Sequence, residues 1–274
     1  MDRKRQIHWS HIGAYLRCPE QYRRIYIEGE RRPPGVALIV GSGTHESIEG
    51  NMLSKKDKGV LLPDDTVADL ARDSVNRRWG EEGVELNDDE KAQGEANVKG
   101  DAVDMAVSLS LVHHKELAPE IEPAYVERPW VLELPGHPFD LAGRIDLQEK
   151  AQKGKKVGRL RDTKTSKRSP TKTQTDDADQ YTMYALAAKV LDGAIPELAV
   201  DYLVKTKTPK AVTQYSTRDE SDLQVLLRRV QVIAKAIETG VFVPCDRSSW
   251  CCSEKWCGFA NDGSCPYFKG RVVG

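Results

Sequence analysis

The chain has 274 residues, 39% of them hydrophobic and 30% charged, with a net charge of −1. That is enough to bury a sizeable core in one large domain, residues 1–274. No run of 18 apolar residues is present and none follows the basic residues at the start, so neither a membrane span nor a secretory signal is expected. The expectation is a soluble, cytoplasmic protein. Near-neutral charge hides an uneven distribution. Arg144 to Lys172 carries 11 Lys/Arg against 3 Asp/Glu, whereas Asp64 to Glu95 carries 11 Asp/Glu against 4 Lys/Arg. A basic surface can therefore face a polyanion although the whole molecule does not.

In chain order, Ser10 to Glu28 is predicted helical, with Ser10 as N-cap and a break at Pro19. Pro33-Pro34-Gly35 marks a loop, and a helix carrying His45, Ile48 and Glu49 is expected to start near Gly43. Residues 66–114 are predicted as helices broken near Asn87-Asp88-Asp89, within a helical insertion of about 60–118. Tyr125 to Leu134 alternates as a strand closed by the Pro135-Gly136 turn. Phe139–Gln148 and Val157–Thr165 follow as an antiparallel hairpin. Asp176–Leu191 is predicted as a helix, Glu197–Lys205 as a strand, and Thr217–Thr239 as a helix capped by Thr217 or Ser216 and ended by Gly240. A cysteine-rich module of about 244–268 closes the chain. The fold class is α/β, a mixed sheet flanked by helices.

The hairpin carries the chemistry. Period-two alternation puts Leu160, Asp162 and Lys164 on one face, and the preceding strand offers Asp146. Two carboxylates converging from paired strands supply hard oxygen ligands suited to Mg²⁺ or Mn²⁺. Phosphodiester hydrolysis needs such a metal to polarise phosphate and activate water, and a lysine beside it can orient that water or stabilise developing charge. The basic segment Lys153–Lys172 is expected to track a nucleic-acid backbone, with Lys155, Lys156 and Lys167 contributing. His113-His114 has no supporting motif and is expected at the surface.

Several elements recur in a fixed order: Ser10, Tyr15, Cys18-Pro19, Tyr22 and Tyr26; Gly43-Thr44-His45; Gly143-Arg144-Ile145-Asp146; Asp162-Thr163-Lys164-Thr165; and Gln180 with Tyr184. In this order the sequence resembles the RecB-like branch of the PD-(D/E)xK nucleases, notably the iron–sulfur exonucleases of CRISPR adaptation and their phage relatives. The resemblance implies a restriction-endonuclease-like core and hydrolysis of DNA that has free ends or is single-stranded. It also implies His45, Asp146, Asp162 and the Thr163 carbonyl as metal ligands, with Lys164 as catalytic lysine. Gln180 and Tyr184 would order the site, and their i, i+4 spacing puts them on one helical face. Glu49, one turn from His45, could support the ligands.

Five of the six cysteines, Cys245, Cys251, Cys252, Cys257 and Cys265, fall in the last 30 residues, and Cys18 lies near the start. Without an export signal, such clusters are more often metal ligands than disulfides. The resemblance implies a [4Fe–4S] cluster held by Cys18, Cys252, Cys257 and Cys265, joining the two ends of the chain. Cys251 and then Cys245 stand behind Cys252, and a four-thiolate zinc site is the alternative metal. The competing functions are an inactive nucleic-acid-binding module with structural zinc, and a zinc-ribbon adaptor acting only on proteins.

Overall fold

A computed structural model describes residues 5–168 and 171–268. Its contacts divide the chain into two compact units: Pro33–Trp130 with Arg144–Leu223, and Met1–Arg32 with Val131–Gly143 and Gln224–Gly274. In chain order the elements are β1 (Arg5–Ile7), α1 (Trp9–Arg17), α2 (Pro19–Tyr22) and a π-helical turn (Arg23–Ile27). Then come α3 (Val36–Lys58), α4 (Asp64–Glu81), α5 (Asp88–Gln93), α6 (Glu95–Glu116) and a 3₁₀ turn (Ala118–Glu120). Strands β2 (Pro123–Glu133), β3 (Phe139–Glu149) and β4 (Leu160–Ser166) precede α7 (Lys172–Asp176) and α8 (Asp179–Asp192). The chain ends with β5 (Leu198–Val204), β6 (Lys210–Ser216), α9 (Glu220–Glu238) and α10 (Gly258–Asn261). None of the described helices is long and apolar enough to cross a membrane.

The larger unit holds a mixed sheet in the order β3-β4-β5-β6, with β2 also paired to β3. β3 and β4 are antiparallel, with Leu147 opposite Arg161. β4 and β5 run parallel from Leu160↔Leu198 to Ser166↔Val204, and β6 closes antiparallel on β5. The hairpin predicted from turn residues is present, and its loop depends on glycine. A Cβ on Gly158 would sit 1.7 Å from the Glu149 carbonyl oxygen, so no other residue fits without moving backbone. All seven residues of β5 are buried, which is why it reads as a continuous apolar run. β6 was not predicted. It begins with Lys210 and is mostly half-exposed, and a polar edge strand carries little sequence signal.

Helices α3, α4 and α6 bury Ile39, Val40, Met52, Val75, Trp79 and Leu109 against Leu147 and Leu203 of the sheet. Helix α3 starts at Val36, seven residues before the predicted start at Gly43. Gly43 is a packing position: a Cβ there would meet Val75 Cγ2 at 2.6 Å, and one at Gly50 would meet Leu70 Cδ1 at 2.9 Å. Small residues at i and i+7 let α4 approach, and the helix-breaking character of glycine misleads a reader of the sequence. The expected surface position of His113-His114 is corrected too. Both are buried, at 2% and 9% exposure. Val98, Ala102, Ala106, Leu109 and His113 form one helical stripe, so the spacing itself would have placed His113 inside.

In the smaller unit β1 pairs parallel with the start of β3, Arg5↔Phe139 to Ile7↔Leu141. Helix α1 is capped at His8 with no side-chain bond, so Ser10 lies inside its first turn. The break at Pro19 is present. N- and C-terminal segments meet through ordinary contacts. The Tyr15 hydroxyl donates to the Val241 carbonyl at 2.6 Å. Arg24 binds Glu30 and Ser264 and stacks 4.0 Å over Phe259, while Arg32 pairs with Asp262. Helix α9 is capped by Asp219 rather than Thr217 or Ser216. Its carboxylate accepts from the N–H of Ser221 and Asp222, and Asp222 accepts from the N–H of Asp219 in return.

Candidate active site

Alternation along β4 sorts its side chains between two environments. Arg161 lies beside His113 of α6, whereas Asp162 meets Gln180 and Tyr184 of α8. Asp162 is 2% exposed. Its Oδ1 accepts from Lys164 Nζ at 3.0 Å, Gln180 Nε2 at 3.3 Å and the Tyr184 hydroxyl at 3.4 Å. Gln180 also donates to the Tyr184 oxygen at 2.9 Å. The two α8 residues therefore clamp one carboxylate oxygen, as their i, i+4 spacing allows. Burial disfavours the Lys164 ammonium, but Asp162 and Asp146 more than compensate and raise its pKa above that of an ordinary lysine. Lys164 is thus a fixed positive charge. Burial, then the charges of Asp162 and Asp146, push the Tyr184 phenol far up, so it stays a neutral donor.

Extending the β3–β4 register by one residue puts Asp146 opposite Asp162. Burial, and then the charge of Asp162, raise the Asp146 pKa well above that of an ordinary carboxyl, against the pull of Lys164. His45, from α3, meets both neighbours. Its Nε2 contacts the Thr163 carbonyl oxygen, and its Nδ1 lies 3.6 Å from Asp146 Oδ2. Burial lowers the His45 pKa more than Asp162 raises it, so the imidazole is neutral and keeps a lone pair. With Nε2 donating to Thr163, that lone pair is on Nδ1, facing Asp146.

His45, Asp146, Asp162, Thr163, Lys164, Gln180 and Tyr184 thus come together within one unit. Their chemistry fits a hard divalent cation. Asp162 Oδ2 lies 2.9 Å from Lys164 Nζ yet takes no hydrogen bond, and it is buried. The Lys164 ammonium offsets part of the cost of burying that oxygen, which still has lone pairs to offer a metal cation. Among the described residues no three His, Cys, Asp or Glu side chains already surround one metal-sized position.

A groove of about 920 Å³ opens over this group, lined by His45, Glu49, Glu127, Asp146, Thr163 and Lys164. Glu127, on β2, was missed from sequence. It is the one described non-glycine residue with positive φ, 52°. Burial, then the charge of Glu49, raises its carboxyl, while Arg144 opposes the shift and donates to it at 3.3 Å. Nothing in the alternation of β2 marks that backbone twist. Also missed was the buried set beneath the site. Arg161 binds Glu149 and, at 2.7 and 2.8 Å, both oxygens of Asp201; Thr213 donates to Asp201. His113 lies beside this set, and burial takes its pKa down to about 4.

The six cysteines lie in the smaller unit and all are free thiols. Among the described residues no three of these thiols surround one metal-sized position. Burial raises the thiol pKa of Cys252 and Cys257. Cys245 lies near two others: its N–H approaches Cys18 Sγ at 3.5 Å and its sulfur is 3.8 Å from that of Cys251.

The sequence pattern of the PD-(D/E)XK nuclease superfamily matches residues 8–266. No curated protein matches the chain. Among solved structures, "Putative exonuclease" from Eubacterium rectale is similar over 98% of this chain and 89% of that one, at 13% identity and a TM-score of 0.53. That likeness is one of fold. A crystal structure of SSO0001 covers 100% of this chain and is itself covered to 90%, at 13% identity and a TM-score of 0.42. The pattern extends over nearly all of the sequence and includes the carboxylate–lysine strand just described. The chain belongs to the PD-(D/E)XK nuclease superfamily.

Proposed function

We propose that the protein is a Mg²⁺- or Mn²⁺-dependent deoxyribonuclease that hydrolyses phosphodiester bonds as an exonuclease at DNA ends. The observation that carries this reading is the buried Asp162 carboxylate. One of its oxygens is clamped by Lys164, Gln180 and Tyr184 and the other takes no hydrogen bond, its charged neighbour being Lys164 at 2.9 Å, with Asp146 and neutral His45 nearby. Asp146, Asp162, the Thr163 carbonyl and His45 would hold the metal, which when bound supplies Lewis acidity and a water acidic enough to attack phosphate. Lys164 holds its proton and offers a preorganised positive charge to the phosphate oxygens as negative charge grows on them. Gln180 and Tyr184 keep Asp162 in one rotamer, so that no reorganisation is needed during reaction.

The test is degradation of linear DNA with Mg²⁺, Mn²⁺, Ca²⁺ or EDTA. Cleavage is expected with the first two and not with Ca²⁺, whose larger, looser shell suits a tight site poorly. Equal rates in EDTA would overturn the reading. Circular DNA should resist; cutting it as fast as linear DNA would show an endonuclease.

For the cysteines the reading is a [4Fe–4S] cluster on Cys18, Cys252, Cys257 and Cys265, with zinc as the alternative. The sequence resemblance supports it, as does the need of the Cys252 and Cys257 thiols, raised by burial, for a metal if they are to ionise. Anaerobically purified protein should be brown, and Cys18→Ala, Cys257→Ala or Cys265→Ala should each bleach it. Cys245→Ala should not, and Cys252→Ala should bleach where Cys251→Ala does not. About one zinc per chain and no iron would refute the cluster and leave the nuclease reading standing.

A further inference from the structure

The basic run expected to follow DNA is divided by β4 itself. Lys153, Lys155 and Lys156 lie in the loop before the strand, and Lys167 lies just past its end. A seven-residue strand is roughly 23 Å long, so these two groups sit at opposite ends of it. Only the second is at the end that carries Lys164. What joins Lys167 there comes from a different part of the sequence. β4 and β5 are parallel and finish together at Ser166↔Val204, and the N–H of Lys205 donates to the Ser166 carbonyl at 2.7 Å. Lys167 and Lys205 are therefore cross-strand neighbours at the carboxyl ends of two parallel strands, the position where open α/β sheets most often take ligands.

Resting on the nuclease reading, we propose that Lys167 and Lys205 form a phosphate-binding pair that grips the backbone of the DNA strand beside Lys164. Neither lysine makes an ion pair or a side-chain hydrogen bond among the described residues. Four other basic residues of this region are paired: Arg159 with Glu197, Arg161 with Asp201, Lys164 with Asp162 and Lys172 with Asp176. Two ammonium groups side by side without an acid oppose folding and favour any anion that can bridge them. The effect registers on Lys205, whose pKa is brought down to about 8 by burial and then by Lys167. Lys167 lies three residues past Lys164, roughly 10 Å along the strand. That spans about one to two nucleotide steps, because successive phosphates of a strand lie farther apart than the roughly 3.4 Å axial rise of a duplex. A strand whose phosphate is held at Lys167 and Lys205 can thus present another, a nucleotide or two away, to Lys164.

The experiment measures binding of a fluorescent linear oligonucleotide in EDTA, where no cleavage occurs, as a function of salt. Lys167→Ala with Lys205→Met should weaken binding at least tenfold near 0.1 M salt. The slope of log affinity against log salt should fall by about 1.4 for single strands or 1.8 for duplex, two phosphate contacts' worth. The melting temperature should hold or rise, because a like-charge contact is removed; a structural role would lower it. If the double variant fails to fold, Lys167→Ala alone, at an exposed side chain, should still lower the slope by about 0.7 for single strands or 0.9 for duplex, one contact's worth. Unchanged affinity and slope would overturn the pair. So would an equal loss from Lys155→Ala with Lys156→Ala, or a loss confined to oligonucleotides with a terminal phosphate, which would make the ligand an end group. Binding that depends on the pair in a protein without metal-dependent cleavage would uphold the pair and sink the nuclease reading instead.

Discussion

Replacing Asp162 with asparagine is expected to lower Mg²⁺-dependent cleavage by about 10³-fold or more while leaving a folded protein. Asparagine matches the carboxylate in shape, so Gln180 and Tyr184 keep an acceptor at Oδ1. The loss is electrostatic. One anionic ligand disappears, and with it the several kcal/mol that a correctly held metal contributes to the transition state, each 1.36 kcal/mol being tenfold in rate. Lys164→Ala should fall as steeply for another reason, keeping metal binding but losing the positive charge beside phosphate. Calorimetric titration with Mn²⁺ separates the two: binding weakens in the Asp162 variant and persists in the Lys164 variant. Near-normal turnover in clean Asp162→Asn protein would remove this carboxylate from the chemistry.

The largest stability effect should come from a residue one position away. Arg161 is 10% exposed in its side chain and is bound by Glu149 and Asp201, themselves 9% and 1% exposed. It ties β3, β4 and β5 together on the face opposite Asp162. Arg161→Ala leaves buried Asp201 without a cation and Glu149 with only Arg159 at 3.7 Å, so about 3–5 kcal/mol should be lost. That is a large fraction of the roughly 5–15 kcal/mol by which domains are stable. Replacing all three residues together with apolar residues of similar volume should recover most of it, because the cost lies in the unpaired charges. Urea denaturation midpoints provide the measurement. A loss below about 1 kcal/mol, as for exposed ion pairs, would show that water reaches this set.

Local chemistry was readable wherever neighbours in sequence are neighbours in space. A strand alternates, so Asp162 and Lys164 had to share a face. A two-strand hairpin with a glycine turn had to bring Asp146 back beside them. A helix repeats every 3.6 residues, so Gln180 and Tyr184 had to point the same way. The same logic, applied more fully to α6, would have buried His113. Gly43 failed in the opposite direction, because glycine reads as a helix breaker and here it is a contact point for α4.

The sequence by itself determined the residue types of the candidate site, their order along the chain and the strands that carry Asp146, Asp162 and Lys164, since these rest on short-range periodicity. Tertiary structure decided the distant neighbours that neither periodicity nor the resemblance named. It brought Glu127, twisted to positive φ, to the groove of Asp146, and it stacked Arg161 against Asp201 across parallel strands. It also separated Lys155 from Lys167 while setting Lys167 beside Lys205, 38 positions on. Parallel strands are joined by a long crossover, here α7 and α8, so no local period records their register. Only the packing of the finished sheet sets it.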